Sequence, residues 1–166
     1  MRGAGQNLVT LDPAEEMRAA QIGAGRVLRH RREGDEHLYG EKRDAYRDWG
    51  RDIEAVGAEM AFAKWLGVYY HPTTKPDDGT DVAGVQVRST PASGGHLLLH
   101  KKDTGPCVLL VGQIPEFTVA GWVDAEEAKT ESRWRDTNGR PCYWVEQAQL
   151  FGLGALREWA IHRLAA

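Results

Sequence analysis

Four residues between positions 59 and 88 have side chains that suit chemistry at a phosphate: Glu59, Asp81, Gln86 and Arg88. Carboxylate and amide oxygens are the ligands that Mg²⁺ prefers in proteins. The planar guanidinium of an arginine presents paired donors that match the oxygens of a phosphate. If these four side chains meet, they supply a cation site and a phosphate contact, which metal-assisted hydrolysis of a phosphodiester requires.

Glu59 lies on the second of two predicted helices, which runs from residue 44 or 52 to Leu66. At 100° per residue its direction falls in the same sector as the apolar Val56 and Ala63. A carboxylate that faces the core is costly unless a partner compensates its charge. Two interpretations stay open: Glu59 lines a site, or it forms a structural ion pair with an arginine.

Asp81 opens a segment whose period changes from helical to strand-like, with two short strands predicted around the dipeptide at 83–84. Gln86 and Arg88 are two residues apart, so they share one face of a strand, while Val85 and Val87 share the other. That alternation also fits an ordinary half-solvated strand. The segment therefore predicts an acid and a polar pair close together, whatever their role.

Further polar and aromatic residues suggest contacts with nucleic acid, each with a structural alternative. Basic side chains that could follow phosphates cluster at the end of a strand (His100, Lys101, Lys102) and at the end of the first helix (Arg26, Arg29, His30, Arg31, Arg32). A solvated face, or pairing with the helix dipole, accounts for either cluster equally well. Trp134, between Arg133 and Arg135, could stack on a base or cover the edge of the core. Asp77 and Asp78 are weaker candidates, because such a loop commonly forms an Asx turn.

Composition limits the class of protein. The chain has 166 residues and a net charge of −3, so any nucleic-acid contact must come from a local basic patch. The two cysteines lack metal-site spacing, and no apolar run approaches the ~20 residues of a membrane span. We therefore expect a soluble, cytoplasmic protein with no membrane partner. The sequence contains no phosphate-binding or dinucleotide-binding glycine loop, so no nucleotide cofactor is expected.

The order of elements is two helices, a run of strands and then short helices, which predicts an α/β or α+β fold with helices against a mixed central sheet. We expect one domain over residues 1–166. It comprises an N-terminal helical extension at 1–43, a core at 44–150 and a C-terminal helix at 151–166. The first helix, capped by Asp12, has a thin apolar stripe and is expected on the outside of the core.

The order of a helix Glu, an Asp that opens a hairpin and a Gln-Val-Arg strand resembles the PD-(D/E)XK, or restriction-endonuclease-like, nuclease superfamily. The matching positions are Glu59, Asp81 and residues 86–88. Gln86 stands where many members have Glu, and Arg88 stands where Lys is usual. The segments FTVAGWVDAEEAK and RPCYWVEQAQL are also similar to small phage proteins whose core reads DVGGxQVR.

This resemblance implies a restriction-endonuclease-like core and a metal-dependent DNA endonuclease, with structure-selective cleavage such as that of a junction resolvase left open. It implies Mg²⁺ or Mn²⁺ held by Glu59, Asp81 and Gln86, with Arg88 on the scissile phosphate. His100, Lys101 and Lys102 would contact DNA. A homodimer that cuts two strands is compatible with it. Because two positions depart from the motif, a catalytically inactive module that binds DNA or protein is the alternative. A third possibility is a structural or host-takeover protein whose sheet is only a scaffold, which predicts that Glu59 pairs with a basic side chain rather than facing a cleft.

Overall fold

The computed structural model describes residues 7–33, 45–72, 80–137 and 139–165. The predicted loop acids Asp77 and Asp78, and the start of the second helix before residue 45, lie outside these ranges. The described helices are α1 (Pro13–Glu33), α2 (Ala45–Leu66), α3 (Ala125–Ala128) and α4 (Leu153–Ala165). The strands are β1 (Leu8–Thr10), β2 (Gln86–Thr90), β3 (Leu97–Leu99), β4 (Pro106–Gln113), β5 (Glu116–Asp124), β6 (Trp134–Thr137) and β7 (Arg140–Val145).

The strands form two sheets. The first has the order β1-β5-β4-β2, in which β2 runs parallel to β4 and the other neighbours are antiparallel. The second is an antiparallel sheet with the order β3-β7-β6. Helices and a mixed sheet occur together in one chain, so the α+β prediction is confirmed. None of the helices in the described ranges is long and apolar enough to cross a bilayer.

Strand β4 separates two hydrophobic cores. Val108 and Leu110 belong to the core that α2 and α4 cover, whereas Cys107 and Leu109 belong to a second core with Leu97 of β3. Both faces of β4 are therefore buried, which explains why its sequence is a continuous apolar run rather than an alternating one. The first sheet has helices on one face and the small second sheet on the other.

The predicted cap of the first helix is present. The backbone N–H groups of Ala14 and Glu15 donate to Asp12 Oδ1, each at 2.9 Å. In return, the N–H of Asp12 donates to Glu15 Oε2 at 2.8 Å. This reciprocal capping box satisfies free donors at the helix start and fixes where α1 begins.

Helix α1 contacts α2 backbone to backbone. A Cβ atom placed on Gly23 would lie 2.6 Å from Ile53 Cα, so only glycine allows this approach. Ala19 and Val27, on the same face, are buried. The thin apolar stripe therefore reflects small residues at a close helix crossing, and α1 contributes more to the core than the sequence indicates.

Two strands of the structure, β1 and β6, were not predicted from the sequence. Strand β1 pairs with β5 through three residues. Strand β6 begins at Trp134, the last residue of the segment DAEEAKTESRW, for which the sequence predicts a short helix capped by Asp124. The Asp124 cap of that helix is confirmed, because its side chain accepts from the N–H groups of Glu126 and Glu127. The α-helix ends at Ala128, and a 3₁₀ turn at Glu131–Arg133 leads into β6.

We predict opposite stability changes for alanine at two glycines of α1. Gly23→Ala gains helix propensity of about 1 kcal/mol, but its methyl group collides with α2, which costs about 1–3 kcal/mol. Gly25→Ala, whose Cβ would meet nothing within 4 Å, should gain the propensity alone. Urea unfolding of both variants measures the difference, and a Gly23→Ala variant as stable as Gly25→Ala would disprove the close crossing.

Candidate functional site

A tight hairpin places Asp81 beside the start of β2. Val82 and Val85 bridge across a turn in which Ala83 has φ 51° and Gly84 has φ 79°, as in the left-handed turns typical of two-residue hairpins. A side chain at Gly84 would collide with the guanidinium of Arg163 on α4. The reversal allows the N–H of Val87 to donate to Asp81 Oδ2 at 2.7 Å.

Glu59 is buried on α2 and is held by two other residues. Arg26 Nη1 donates to Glu59 Oε1 at 2.7 Å, and Arg26 Nη2 donates to Oε2 at 2.8 Å. The hydroxyl of Tyr70 also donates to Oε2, at 2.6 Å. Burial alone would lower the pKa of Arg26, but the bond and charge of Glu59 outweigh it and raise that pKa. Arg26 thus remains charged, and both oxygens of Glu59 have partners.

The charge of Glu59 acts on the ionisation of Asp81. Burial and the charge of Glu59 raise the pKa of Asp81 to about 6. The N–H of Val87 and the charges of Arg88 and Arg26 act in the opposite direction but do not cancel the rise. Two acids from α2 and the hairpin therefore converge, and the charge of Asp81 is only partly compensated.

Arg88 lies among four acceptors at β2, one of which is the Val87 carbonyl, 3.2 Å from its Nη1. Its Nη2 donates to Gln86 Oε1 at 2.9 Å and to Asp103 Oδ1 at 3.3 Å, while Nη1 lies 3.9 Å from Asp81 Oδ2. The amide nitrogen of Gln86 donates to the Thr104 carbonyl at 2.9 Å. The predicted shared face of Gln86 and Arg88 is thus present, but Gln86 is buried rather than solvated.

Asp103 connects Arg88 to the turn that carries the predicted basic residues. Its Oδ2 accepts from the backbone N–H of His100 at 2.9 Å, and Lys129 Nζ donates to the carbonyls of Asp103 and Lys101. Burial lowers the pKa of the His100 imidazole, the charge of Asp103 opposes this, and Arg88 and Lys102 lower it further. The imidazole is therefore neutral at pH 7, while Lys101 and Lys102 are exposed.

The structure brings Asp81, Gln86 and Arg88 into one contact network, with His100, Lys101 and Lys102 at its side. Glu59, held by Arg26 and Tyr70, acts on this network through its charge. The position of Arg26 differs from the prediction. The sequence places Arg26 in a basic cluster that could contact phosphates, but its side chain points inward and binds Glu59. Its spacing from the buried Ala19 and Gly23 is that of one helix face, which was an available signal. Tyr70 and Asp103 were missed, because neither stands in a recognisable motif.

The donor set for a divalent cation is incomplete in this arrangement. Among the described residues, no group of three or more His, Cys, Asp or Glu side chains could hold a metal ion. Glu59 is engaged by Arg26 and Tyr70, and the amide oxygen of Gln86 is engaged by Arg88. Asp81 could accept a cation directly, and Glu59 could join it only after Arg26 has moved.

A cavity of about 480 Å³ borders the cluster between the start of α1 and the end of α2. Tyr70 forms part of its wall, but Asp81 and Arg88 do not line it. Its polar lining is paired internally, with Arg18 donating to the Tyr69 hydroxyl at 2.9 Å and Lys64 bound to Glu15 at 2.7 Å. The cavity therefore presents no group that requires a ligand.

Comparisons with family models, curated proteins and solved structures gave no match to this chain. The resemblance to PD-(D/E)XK nucleases thus depends on Glu59, Asp81 and residues 86–88 alone.

We predict a pH-dependent stability difference between the wild type and Asp81→Asn in EDTA. Since the pKa of Asp81 is raised from 3.8 to about 6, the folded protein retains a proton there that the unfolded chain has lost. The retained proton therefore stabilises the wild type fully below about pH 4, and this stabilisation is lost as the pH rises through 6. From pH 4 to 7 its free energy of unfolding should fall by up to about 3 kcal/mol relative to the variant. Urea unfolding across this range tests it, and a constant difference would contradict it.

Proposed function

We propose that this protein is a metal-dependent nuclease that hydrolyses phosphodiester bonds in DNA with Mg²⁺ or Mn²⁺. The observation that supports it is the convergence of Glu59 and Asp81, from separate elements, beside the guanidinium of Arg88. Two acids with one partly uncompensated charge attract a cation, and the adjacent arginine attracts a phosphate.

In this proposal Asp81, Glu59 and Gln86 would hold the cation. A bound Mg²⁺ or Mn²⁺ would supply charge neutralisation and a water of lowered pKa. The hydrogen bond from Val87 keeps Asp81 directed toward the site, and Tyr70 remains beside Glu59 as a neutral donor.

Arg88 would bind the scissile phosphate. A guanidinium stays protonated, so Arg88 cannot act as a general base, but its fork can contact two phosphate oxygens and stabilise the charge that develops on them. Asp103 orients the guanidinium, because its Oδ1 accepts from Arg88 Nη2. Lys101 and Lys102, on the adjoining turn, would contact phosphates farther along the strand.

A second candidate function is a nuclease-like module that binds DNA without cutting it, and one observation favours it. Arg26 already occupies both oxygens of Glu59 with near-ideal distances, and such a buried bidentate pair is strong. If Arg26 never releases Glu59, the guanidinium takes the place of the cation. The site would then be a closed ion-pair network.

We predict that the wild-type protein nicks or cuts DNA with Mn²⁺ or Mg²⁺ and that Asp81→Asn loses activity by about 100-fold or more. Duplex, single-stranded and four-way-junction DNA serve as substrates, and gel electrophoresis measures the products. Asp136→Asn, the same change at an exposed residue, is the matched control and should remain active. Cleavage by both wild type and Asp81→Asn, or by neither, would count against the nuclease.

Arg26→Gln separates the two candidates. In EDTA, loss of the buried partner of Glu59 should destabilise the fold by about 3–5 kcal/mol. For a nuclease, Mn²⁺ should restore part of that stability, because the cation replaces the guanidinium, and calorimetry should show about ten-fold tighter Mn²⁺ binding than in wild type. For the inactive module, Mn²⁺ should have no effect on stability in either protein. Arg26→Gln combined with Asp81→Asn is the control for adventitious Mn²⁺.

A further inference from the structure

The second sheet carries an aromatic row that runs from the core to an exposed edge. Leu99 on β3 is opposite Tyr143 on β7, and Tyr143 is opposite Trp134 on β6. The rings of Trp134 and Tyr143 meet edge to face with centroids 4.8 Å apart. Leu99 is fully buried, whereas Trp134 is half-buried on the edge strand. Tyr143 thus supports a tryptophan that is accessible from the solvent.

A lysine of the site-proximal turn lies on this tryptophan. Lys101 Nζ is 4.8 Å from the centre of the Trp134 ring. The backbone of the same turn is tied to Arg88 by Asp103, which accepts from both Arg88 and the N–H of His100. Contacts therefore run without a break from Asp81 through Arg88 and the turn to Trp134.

The surface around Trp134 is basic in a chain that is acidic overall. Residues 129–140 include four basic and two acidic residues, and Lys101 and Lys102 adjoin them. Arg133 donates to the carbonyl of Ala128, and Arg135 donates to the carbonyls of Ser132 and Trp134. These neutral acceptors do not cancel the charges of the two guanidinium groups. A polyanion that also carries exposed aromatic rings complements this surface. Its negative charges match the basic side chains, and its rings match the flat side chain of Trp134.

We propose that Trp134, with Lys101 and Arg135, forms a platform on which a base of single-stranded nucleic acid stacks while its flanking phosphates contact the two cations. Aromatic side chains hold unpaired bases because every base has a π face, whereas a base within a duplex is already stacked on both faces. Lys101 has a flexible stem, so its ammonium can leave the ring and follow a phosphate when a base replaces it. The role of this platform beside Arg88 rests on the proposed nucleic-acid function. In that function, the platform would hold a strand that is unpaired where it reaches Asp81 and Arg88.

Fluorescence anisotropy of labelled fifteen-nucleotide dT and rU strands and a 15-bp duplex, in EDTA with the full chain, tests this platform. Trp134→Leu keeps apolar cover but removes the stacking face, so the affinity for the single strands should fall about ten-fold and that for the duplex less than two-fold. Trp134→Phe should restore most of the loss. Trp159→Leu is the matched control, because Trp159 is also exposed with a guanidinium, that of Arg163, 5.7 Å from its ring centre. It should bind like wild type.

Equal losses for single strand and duplex, no loss in Trp134→Leu, or the same loss in Trp159→Leu would overturn the platform. If Trp134→Leu unfolds, Lys101→Gln decides: it must weaken binding of the single strand and reduce the slope of log affinity against log salt by about 0.7, and an unchanged slope refutes the proposal.

Preference for dT or for rU identifies the strand as DNA or RNA. Binding that depends on Trp134 without any cleavage refutes the nuclease alone, and cleavage with Trp134-independent binding refutes the platform alone.

Discussion

The burial of Glu59 next to Asp81 is the constraint on which the organisation of this protein depends. Two acids cannot share a poorly solvated region unless cations or donors compensate them. Arg26 from α1 and Arg88 from β2 supply that compensation from opposite sides. Helix α1 reaches Glu59 because Gly23 lets it contact α2 without an intervening side chain. The close helix crossing therefore accompanies the pairing of Arg26 with Glu59, and the hairpin before β2 accompanies the approach of Arg88 to Asp81.

Much of the fold could be predicted from local patterns. The Asp12 and Asp124 caps, the apolar run of β4 and the glycine-containing turn before Gln86 each carry their signal within a few residues. The inward direction of Glu59 followed from helical periodicity, and the shared face of Gln86 and Arg88 followed from strand alternation. These features depend on backbone geometry, which a short stretch of sequence determines.

The missing part of the site comes from contacts between distant residues. Arg26 is 33 positions from Glu59, and Asp103 is 15 positions from Arg88. Periodicity indicates which face of an element is buried, but not which residue of another element meets it. Strands β1 and β6 were missed for a similar reason: three or four residues carry too little pattern, and only pairing with β5 or β7 defines them. The partner of Glu59 is the fact that most changes the functional interpretation. The spacing of Arg26 from Ala19 and Gly23 indicates an inward direction, but not that Arg26 meets Glu59.

The contact between Gly84 and Arg163 links two parts of the chain that are far apart in sequence. Gly84 has a positive φ, which strains any other residue there, whereas the atoms that a β-carbon would meet are the flexible end of the Arg163 side chain. The backbone of the hairpin, rather than Arg163, therefore restricts position 84 to glycine. In an evolving lineage, glycine should persist at position 84 whichever residue stands at 163, because the turn that carries Asp81 requires it.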